Sequence, residues 1–317
     1  MHTLRLADPA TTRAYPLAVA GPARWAATTD GVAVEIELPD LPAGTLLVPS
    51  LALADRAAGY HQWTLAAEGA CWPLPPVPSR PPRDAAGATP PDPGRDPRVS
   101  LHIDCWHTHA DLAAPRVRVT LRAGAAPSRY LVAVSARPLS LPHAAAPTAS
   151  GALPRPPPPL SQMTAPPELA PRICSPTSVA MVLGHWGETD PWLTIVEECR
   201  DPATGMYGVW PLAVAAAARR GRIGAVEVFA GWDEPMAVLE RGIPLVTSIR
   251  FERGSLPGAP LERTAGHLVV LFAAGPDTVA VNDPAAPDAD SVTRTYAAAA
   301  FSAAWLGSRG AAYILPP

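Results

Sequence analysis

Proline is the residue that most restricts how this chain can fold, because it makes up 42 of the 317 residues, against a usual share of about 5%. One proline-rich stretch covers residues 142–159 and ends in four consecutive prolines at 156–159. Such a segment favours extended polyproline II structure and cannot donate hydrogen bonds to a β-sheet. We therefore predict a linker over residues 140–160, between domains over residues 1–139 and 161–317.

Before the linker, apolar and polar residues alternate with the period of two that is typical of β-strands. Val32, Val34 and Ile36 alternate with Ala33 and Glu35 in the clearest case. Similar segments occur at residues 46–48, 60–65, 100–106, 117–121 and 130–135. Short strands with turn-rich spacers predict an antiparallel β-sandwich. A second proline-rich stretch, residues 73–97, is predicted to be a surface loop of this domain.

After the linker, the pattern changes to a mixture of helices and strands. Residues 175–186 predict a helix that starts at Ser-Pro-Thr and stops at Gly187. Further helices are predicted over residues 211–220, 234–241 and 296–306, and strands over residues 226–230, 244–251, 267–274, 278–281 and 313–315. This order predicts an α+β domain.

The net charge and the hydropathy of the chain exclude some classes of binding partner. The formal net charge is -3 and the isoelectric point is about 6.2, so we expect no nucleic-acid partner. No apolar run approaches the ~20 residues that cross a bilayer. The first thirty residues lack the features of a secretory signal. We expect a cytoplasmic protein, although a secreted protein trimmed of its signal would look the same.

Cys174 differs from the other three cysteines by its position at the start of a predicted helix. Four cysteines are too few for a disulfide framework in a chain of this length, and the default for each is a small buried apolar residue. At a helix start, however, unpaired backbone N–H groups and the positive end of the helix dipole stabilise a thiolate. Cys174 is therefore a candidate nucleophile.

A histidine and an aspartate lie at the two ends of a predicted hairpin. His267 begins an apolar strand, and Asp283 follows the next strand, after a turn at residues 275–277. Two short strands and a turn bring Asp283 back beside His267. The carboxylate can then orient the imidazole, which can take the proton of Cys174, as in nucleophilic acyl transfer. The amide of Gln162, together with the Cys174 N–H, could bind an oxyanion.

The pattern Gln162…Cys174-Ser-Pro-Thr-Ser…Gly-His267-Leu-Val-Val…Val-Asn-Asp283-Pro resembles the papain-like cysteine peptidases of the double-glycine (bacteriocin-processing) type. It looks most like their stand-alone bacterial peptidase-like branch, and the resemblance covers roughly residues 160–317. It implies that these four residues act as the oxyanion-hole glutamine, nucleophile, general base and orienting acid. Ser175 stands where the family usually has glycine. The membrane and ATP-binding domains of transporter-linked members are absent, so double-glycine leader peptides are not implied as substrates.

Tyr207 and Trp210 lie between two predicted helices, where papain-like folds form a substrate cleft. We predict that they contact substrate, although packing would also explain them. Trp63, Trp72 and Trp106 could line a sugar- or peptide-binding surface of the first domain. Packing in the core is the preferred interpretation for these three tryptophans.

A group of potential metal ligands lies in the first domain. His102, Asp104, Cys105, His107 and His109 are of the types that zinc uses. Along a strand, however, His102 and Asp104 would point away from the face of Cys105, and the last two histidines would begin a loop. A tetrahedral site needs ligands that converge, so we predict solvated residues and no metal site.

These features together predict an antiparallel β-sandwich followed by a papain-like cysteine peptidase domain. The predicted activity is hydrolysis of peptide bonds in a peptide or protein substrate, without a cofactor. Two alternatives remain open. One is a transglutaminase-like acyltransferase, in which an amine replaces water. The other is a catalytically degenerate domain that binds peptides without cleaving them.

Overall fold

A computed structural model describes residues 2–54, 60–78 and 96–317 of the chain. Helices occur together with antiparallel sheets, which confirms the predicted α+β class. Most of the predicted loop over residues 73–97 lies outside the described residues, at positions 79–95. In the described part of the chain the longest helix has 12 residues, and no helix has the length and apolar character needed to cross a bilayer.

The residues before position 140 form two antiparallel sheets. One sheet has the strand order β1-β11-β4-β9-β8, and the other has the order β2-β3-β10-β5-β6, with β7 beside β5. The elements are β1 (His2–Ala7), α1 (Pro9–Ala14), β2 (Ala26–Thr28), β3 (Gly31–Glu37), β4 (Thr45–Leu53), β5 (Tyr60–Ala67), β6 (Ala70–Pro73), β7 (Val77–Pro78), β8 (Val99–Leu101), β9 (Trp106–Thr108), β10 (Arg116–Leu121) and β11 (Tyr130–Pro138).

The two sheets enclose an apolar core, because alternate residues of each strand face the same side. On β3 and β10, for example, Val34 lies opposite Val119, and both are buried. Trp63, Trp72 and Trp106 belong to the same core. The indole N–H of Trp106 donates to the carbonyl of Trp72 at 2.9 Å. These three tryptophans therefore pack inside the protein and do not form a binding surface.

The single strand predicted over residues 100–106 is wrong. A turn separates β8 from β9, and in it the amide N–H of His102 donates to the carbonyl of Cys105 at 2.9 Å. Because the chain reverses here, Asp104 is buried, and its carboxylate accepts a hydrogen bond from the backbone N–H of Trp210 at 3.2 Å. The alternating pattern hid this turn, since it contains neither glycine nor proline.

The residues after position 140 form one sheet with helices packed against it. The strand order is β13-β18-β14-β15-β16-β17, with β12 beside β15. The elements are β12 (Gly151–Ala152), α2 (Cys174–His185), α3 (Trp192–Glu198), α4 (Trp210–Ala218), β13 (Ala225–Val228), α5 (Asp233–Glu240), β14 (Leu245–Phe251), β15 (Thr264–Ala274), β16 (Thr278–Asn282), β17 (Thr293–Ala297), α6 (Ala298–Trp305) and β18 (Ala311–Ile314), with 3₁₀ turns at Gln162–Thr164, Ala170–Arg172 and Ala289–Ser291.

The proline-rich segment over residues 140–160 packs against this second sheet. Its strand β12 extends the sheet beside β15. The carbonyl of Pro157 accepts a hydrogen bond from the side-chain amide of Asn282 at 2.9 Å, and the ring of Pro158 lies so close to Gly184 of α2 that a Cβ there would approach it to 2.8 Å. These contacts fix the position of the segment that leads into the second half of the chain.

The two halves of the chain also share a core. Strand β4 is buried along its length because both of its faces are covered. Leu47 and Leu51 face the core between the first two sheets, whereas Leu46, Val48 and Ala52 join the apolar cluster of the second half. Strand β11 alternates in the same way. The predicted boundary therefore separates two halves that pack on each other through apolar side chains.

Buried polar contacts cross the same interface. The guanidinium of Arg5 on β1 contacts the carboxylate of Glu227 on β13 through two hydrogen bonds of 2.6 and 2.8 Å. The hydroxyl of Tyr15 donates to the same carboxylate at 2.8 Å. Arg137 on β11 donates to the carbonyls of Phe229 and Leu306. The relative position of the two halves is thereby specified by directional bonds as well as by packing.

Candidate active site

Helix α2 begins at Cys174, one residue before its predicted start. Pro176 is compatible with the first turn, where its missing N–H needs no partner within the helix. The residues from Ser175 to Leu183 are all buried, whereas the Cys174 side chain is partly exposed. The helix is therefore anchored by its apolar residues, and it presents a thiol at its positive end, where the dipole stabilises a thiolate.

His267 and Asp283 lie together, as the predicted hairpin requires. Strands β15 and β16 pair antiparallel, and the Nε2 atom of His267 lies 2.7 Å from Oδ1 of Asp283, sixteen residues later in the chain. Both side chains are buried. The other ring nitrogen of His267 is thus left to face a different group.

That group is the thiol of Cys174, whose interaction with His267 shifts the pKa of both groups. Burial raises the pKa of this thiol, but the hydrogen bond and charge of His267, with backbone N–H groups of Leu268 and Ser175, outweigh it and lower the pKa below the usual thiol value. Burial lowers the pKa of His267, but Asp283 and the thiol outweigh it and raise that pKa to about 10. Both shifts favour a thiolate–imidazolium pair.

Asp283 is held by three further contacts. Its Oδ1 accepts a hydrogen bond from the backbone N–H of Ala285 at 3.0 Å, and its Oδ2 accepts one from the hydroxyl of Tyr296 at 2.8 Å. Its own N–H donates to the carbonyl of Val292 at 2.8 Å. Although burial raises the pKa of this carboxyl, the charge and hydrogen bond of His267 outweigh it and lower the pKa. The carboxylate is thus ionised and fixed in orientation.

Tyr296 is a side-chain partner of Asp283 that the sequence did not reveal. It lies on β17, where it pairs with Val279 of β16. Its side chain is buried, and it stacks on Phe301 with the two ring planes 14° apart. Sequence spacing does not reveal this contact, since the segment 296–306 was predicted to be wholly helical and the helix begins only at residue 298.

Gln162 lies on the 3₁₀ turn Gln162–Thr164, between the elements that carry the other residues. Its backbone N–H donates to the carbonyl of Pro284, next to Asp283, at 2.8 Å. Its side-chain amide donates to the carbonyl of Ala170 at 2.6 Å, on the turn that leads into α2. The side chain is buried, and its Oε1 has no hydrogen-bond partner within the described residues. The fold thus fixes Gln162 between the segments of Asp283 and Cys174.

Ser175, which follows Cys174 at the position where the resemblance leads us to expect glycine, is buried. Its hydroxyl lies 2.8 Å from the hydroxyl of Tyr313 on β18. Because its hydroxyl is already paired with Tyr313, the serine side chain is accommodated by the helix–sheet packing. The substitution of glycine by serine is therefore compensated within the protein interior.

Tyr207 and Trp210 are both 5% exposed. Tyr207 packs with Ile173, next to Cys174, and the guanidinium of Arg172 lies over its ring at 5.5 Å. Trp210 starts α4, and the guanidinium of Arg309 lies over its ring at 6.0 Å. Their contact with substrate stays a prediction.

The potential metal ligands of the first half do not form one cluster, because the histidines lie apart from Asp104 and Cys105. Nε2 of His102 lies 3.1 Å from Nδ1 of His107, whereas Asp104 and Cys105 are buried in the turn. In residues 2–54, 60–78 and 96–317, no group of three or more histidine, cysteine, aspartate or glutamate side chains is arranged to hold a metal ion.

One family model and solved structures of peptidases are similar to part of this chain. The family model described as the Peptidase_C39 like family matches residues 157–313. A double glycine motif protease from an AMS/PCAT transporter, solved in complex with the leader peptide, is 19% identical, with a TM-score of 0.36 over 53% of this chain and 98% of that chain. A structure described as a C39-like peptidase from Bacillus anthracis is also 19% identical, with a TM-score of 0.40 over 52% of this chain and 96% of that one.

No curated protein matches the chain at a significant level. The family match spans Gln162, Cys174, His267 and Asp283, and it begins within the proline-rich segment. Residues 157–313 thus match the model of the Peptidase_C39 like family, which supports a cysteine peptidase in this part of the chain.

Proposed function

We propose that the protein hydrolyses peptide bonds, with Cys174 as nucleophile, His267 as general base and acid, and Asp283 as the residue that orients the imidazole. The observation that carries the proposal is the chain of contacts from the Cys174 thiol through His267 to Asp283. Cys174 is the partly exposed member of this chain, and the other two side chains are buried. A substrate can therefore reach the sulfur without displacing the groups that activate it.

In the proposed reaction, the thiolate of Cys174 attacks the carbonyl carbon of a peptide bond. The tetrahedral intermediate collapses as the imidazolium of His267 gives its proton to the leaving amine, which leaves a thioester on Cys174. His267 then takes a proton from water as the water attacks the thioester. Collapse of the second intermediate releases the acid and restores the thiolate–imidazolium pair. Asp283 keeps its negative charge throughout.

Gln162 and the Cys174 backbone N–H are the proposed donors to the oxyanion. One N–H of the Gln162 side chain is engaged by the carbonyl of Ala170, so the second remains to face the developing charge. Because the side chain is buried and the backbone is tied to Pro284, the donor needs little reorganisation during the reaction.

The predicted domain division remains part of this proposal, with residues 1–139 as an accessory unit, 140–160 as the linker and 161–317 as the peptidase. The core shared across β4 and β11 supports an accessory unit that is rigidly attached and not one on a flexible tether.

Replacing Gln162 with alanine is expected to lower kcat by about 10²–10³-fold while the alkylation rate of Cys174 stays within about twofold. The reason is that the thiolate–imidazolium pair does not include the amide. The assay is the release of new amino termini from a mixed peptide pool, with glycinamide added in a parallel reaction to detect acyl transfer.

The matched control is Gln62→Ala, which removes an amide that donates to the carbonyl of Leu74 in the first half of the chain. Its kcat is expected to equal that of the wild type. Equal rates for Gln162→Ala and wild type would remove Gln162 from the proposal. Products that carry glycinamide in place of a free carboxylic acid would show that the enzyme catalyses acyl transfer and not hydrolysis.

A further inference from the structure

A cleft of about 580 Å³ lies where the two halves of the chain meet. His107 of β9 and Leu139 after β11 line it from the first half. The end of β14 with the turn after it, together with α6 and the loop to β18, lines it from the second half. Neither half alone forms this cleft.

Two arginines give the cleft its charge. Arg250 and Arg309 both line it, and Glu252 is the single acidic residue in the lining. Burial and the charges of His102, Arg309 and Arg250 lower the pKa of His107 to about 4, so this histidine is neutral at pH 7. The cleft therefore carries more positive than negative charge.

Neither arginine has a carboxylate in salt-bridge contact within the described residues. The Nε of Arg250 donates to the carbonyl of Ala265 at 2.8 Å, and its terminal nitrogens form no hydrogen bond to the part of the chain that the structure describes. The guanidinium carbon of Arg309 lies 6.0 Å from the centroid of the Trp210 ring, and this contact engages no carboxylate. The planar donor edges of both side chains thus match the geometry of a carboxylate.

The cleft is connected to the proposed catalytic residues through short segments. Arg250 is bonded to Ala265, two residues before His267 on β15. Arg309 precedes β18, where Tyr313 contacts Ser175 beside Cys174. The two arginines are therefore held in place by the same strands and contacts that position His267 and Cys174.

We propose that this cleft binds a carboxylate group of the peptide substrate between Arg250 and Arg309, a site that rests on the proposed peptidase function. The first half of the chain supplies one wall of the site through His107 and Leu139. Leu139, the buried Phe251 and Ala304 offer apolar contact to the carbon chain that bears the carboxylate.

The test uses the full chain with Cys174→Ala, so that no probe is cleaved. The probes are dansyl-labelled octapeptides of alanine and glycine that contain either three glutamates or three glutamines, each prepared as a free acid and as a C-terminal amide. Fluorescence anisotropy gives the dissociation constants. We expect the carboxylate-bearing probes to bind at least ~10-fold more tightly than the glutamine amide. Arg250→Gln and Arg309→Gln, each made separately, are expected to reduce this preference to about twofold or less.

The matched control is Arg253→Gln, which removes the same charge from an exposed neighbour outside the cleft that pairs with Glu262. It should keep the preference. A preference that follows the glutamates assigns a side-chain carboxylate, and one that follows the free C-terminus assigns the terminal carboxylate. Equal binding of all four probes would overturn the proposal, as would an equal loss in Arg253→Gln. Since binding is measured without the nucleophile, a failure of hydrolysis alone would overturn the proposed function and leave this site intact.

Discussion

Replacing Cys174 with alanine is expected to lower peptide hydrolysis by at least about 10⁴-fold, because loss of the nucleophile removes the covalent route altogether. The thiol is partly exposed at the start of α2 and interacts with His267. Cys105 and Cys199 are buried, and burial raises the pKa of both thiols. The assay is the appearance of new amino termini in a mixed peptide pool, followed by mass spectrometry.

Cys71→Ala is the matched control, since Cys71 is a free and exposed cysteine on β6. Its hydrolysis rate is expected to be that of the wild type. Residual activity above about a hundredth of wild type in Cys174→Ala would show that another group performs the attack. Circular dichroism and the unfolding midpoint of each variant show whether a loss of hydrolytic activity is caused by unfolding.

Replacing Arg5 with alanine is expected to lower the free energy of unfolding by about 3–5 kcal/mol. The side chains of Arg5 and Glu227 are only 5% and 0% exposed. Without the guanidinium, the Glu227 carboxylate keeps only the hydroxyl of Tyr15 as a side-chain partner at the interface. An unpaired buried charge is costly, and the two halves of the chain meet at this point. Urea unfolding monitored by tryptophan fluorescence gives the value by linear extrapolation.

Arg116→Ala provides the comparison, because Arg116 pairs with Glu35 at the surface with 59% and 48% of the side chains exposed. Its expected cost is at most about 1 kcal/mol. The double variant Arg5→Met with Glu227→Leu should recover most of the stability, since it leaves no buried charge. A loss below about 1 kcal/mol in Arg5→Ala would mean that the buried pair does not hold the halves together.

The site was predictable where local chemistry and short-range spacing determine it. A cysteine at the head of an apolar helix is recognisable from sequence, because capping and dipole effects act within one turn. The contact between His267 and Asp283 follows from two strands and a tight turn, since such a hairpin fixes where its ends lie. The α+β class follows in the same way from the order of periodic segments.

The remaining features depend on contacts between distant parts of the chain. Tyr296 reaches Asp283 only because β17 pairs with β16, and no residue in that segment signals the pairing. Arg5 and Glu227 are 222 positions apart, so the sequence of either half gives no sign of the other. The turn before Cys105 lacks glycine and proline, and for that reason the alternating pattern was interpreted as one strand.

The most direct test of the proposed nucleophile and base is the rate at which limiting iodoacetamide alkylates each cysteine between about pH 5 and 9. His267 lowers the pKa of the Cys174 thiol, so the thiolate should persist as the pH falls below the ordinary thiol range of ~8.5. At pH 6 we expect Cys174 to react about 100-fold faster than Cys71. His267→Ala should abolish that advantage, because burial, the largest influence that then remains, raises the thiol pKa. The proposed pair of nucleophile and base would be contradicted if Cys174 were alkylated no faster than Cys71. It would also be contradicted if the alkylation rate of Cys174 were unchanged in His267→Ala.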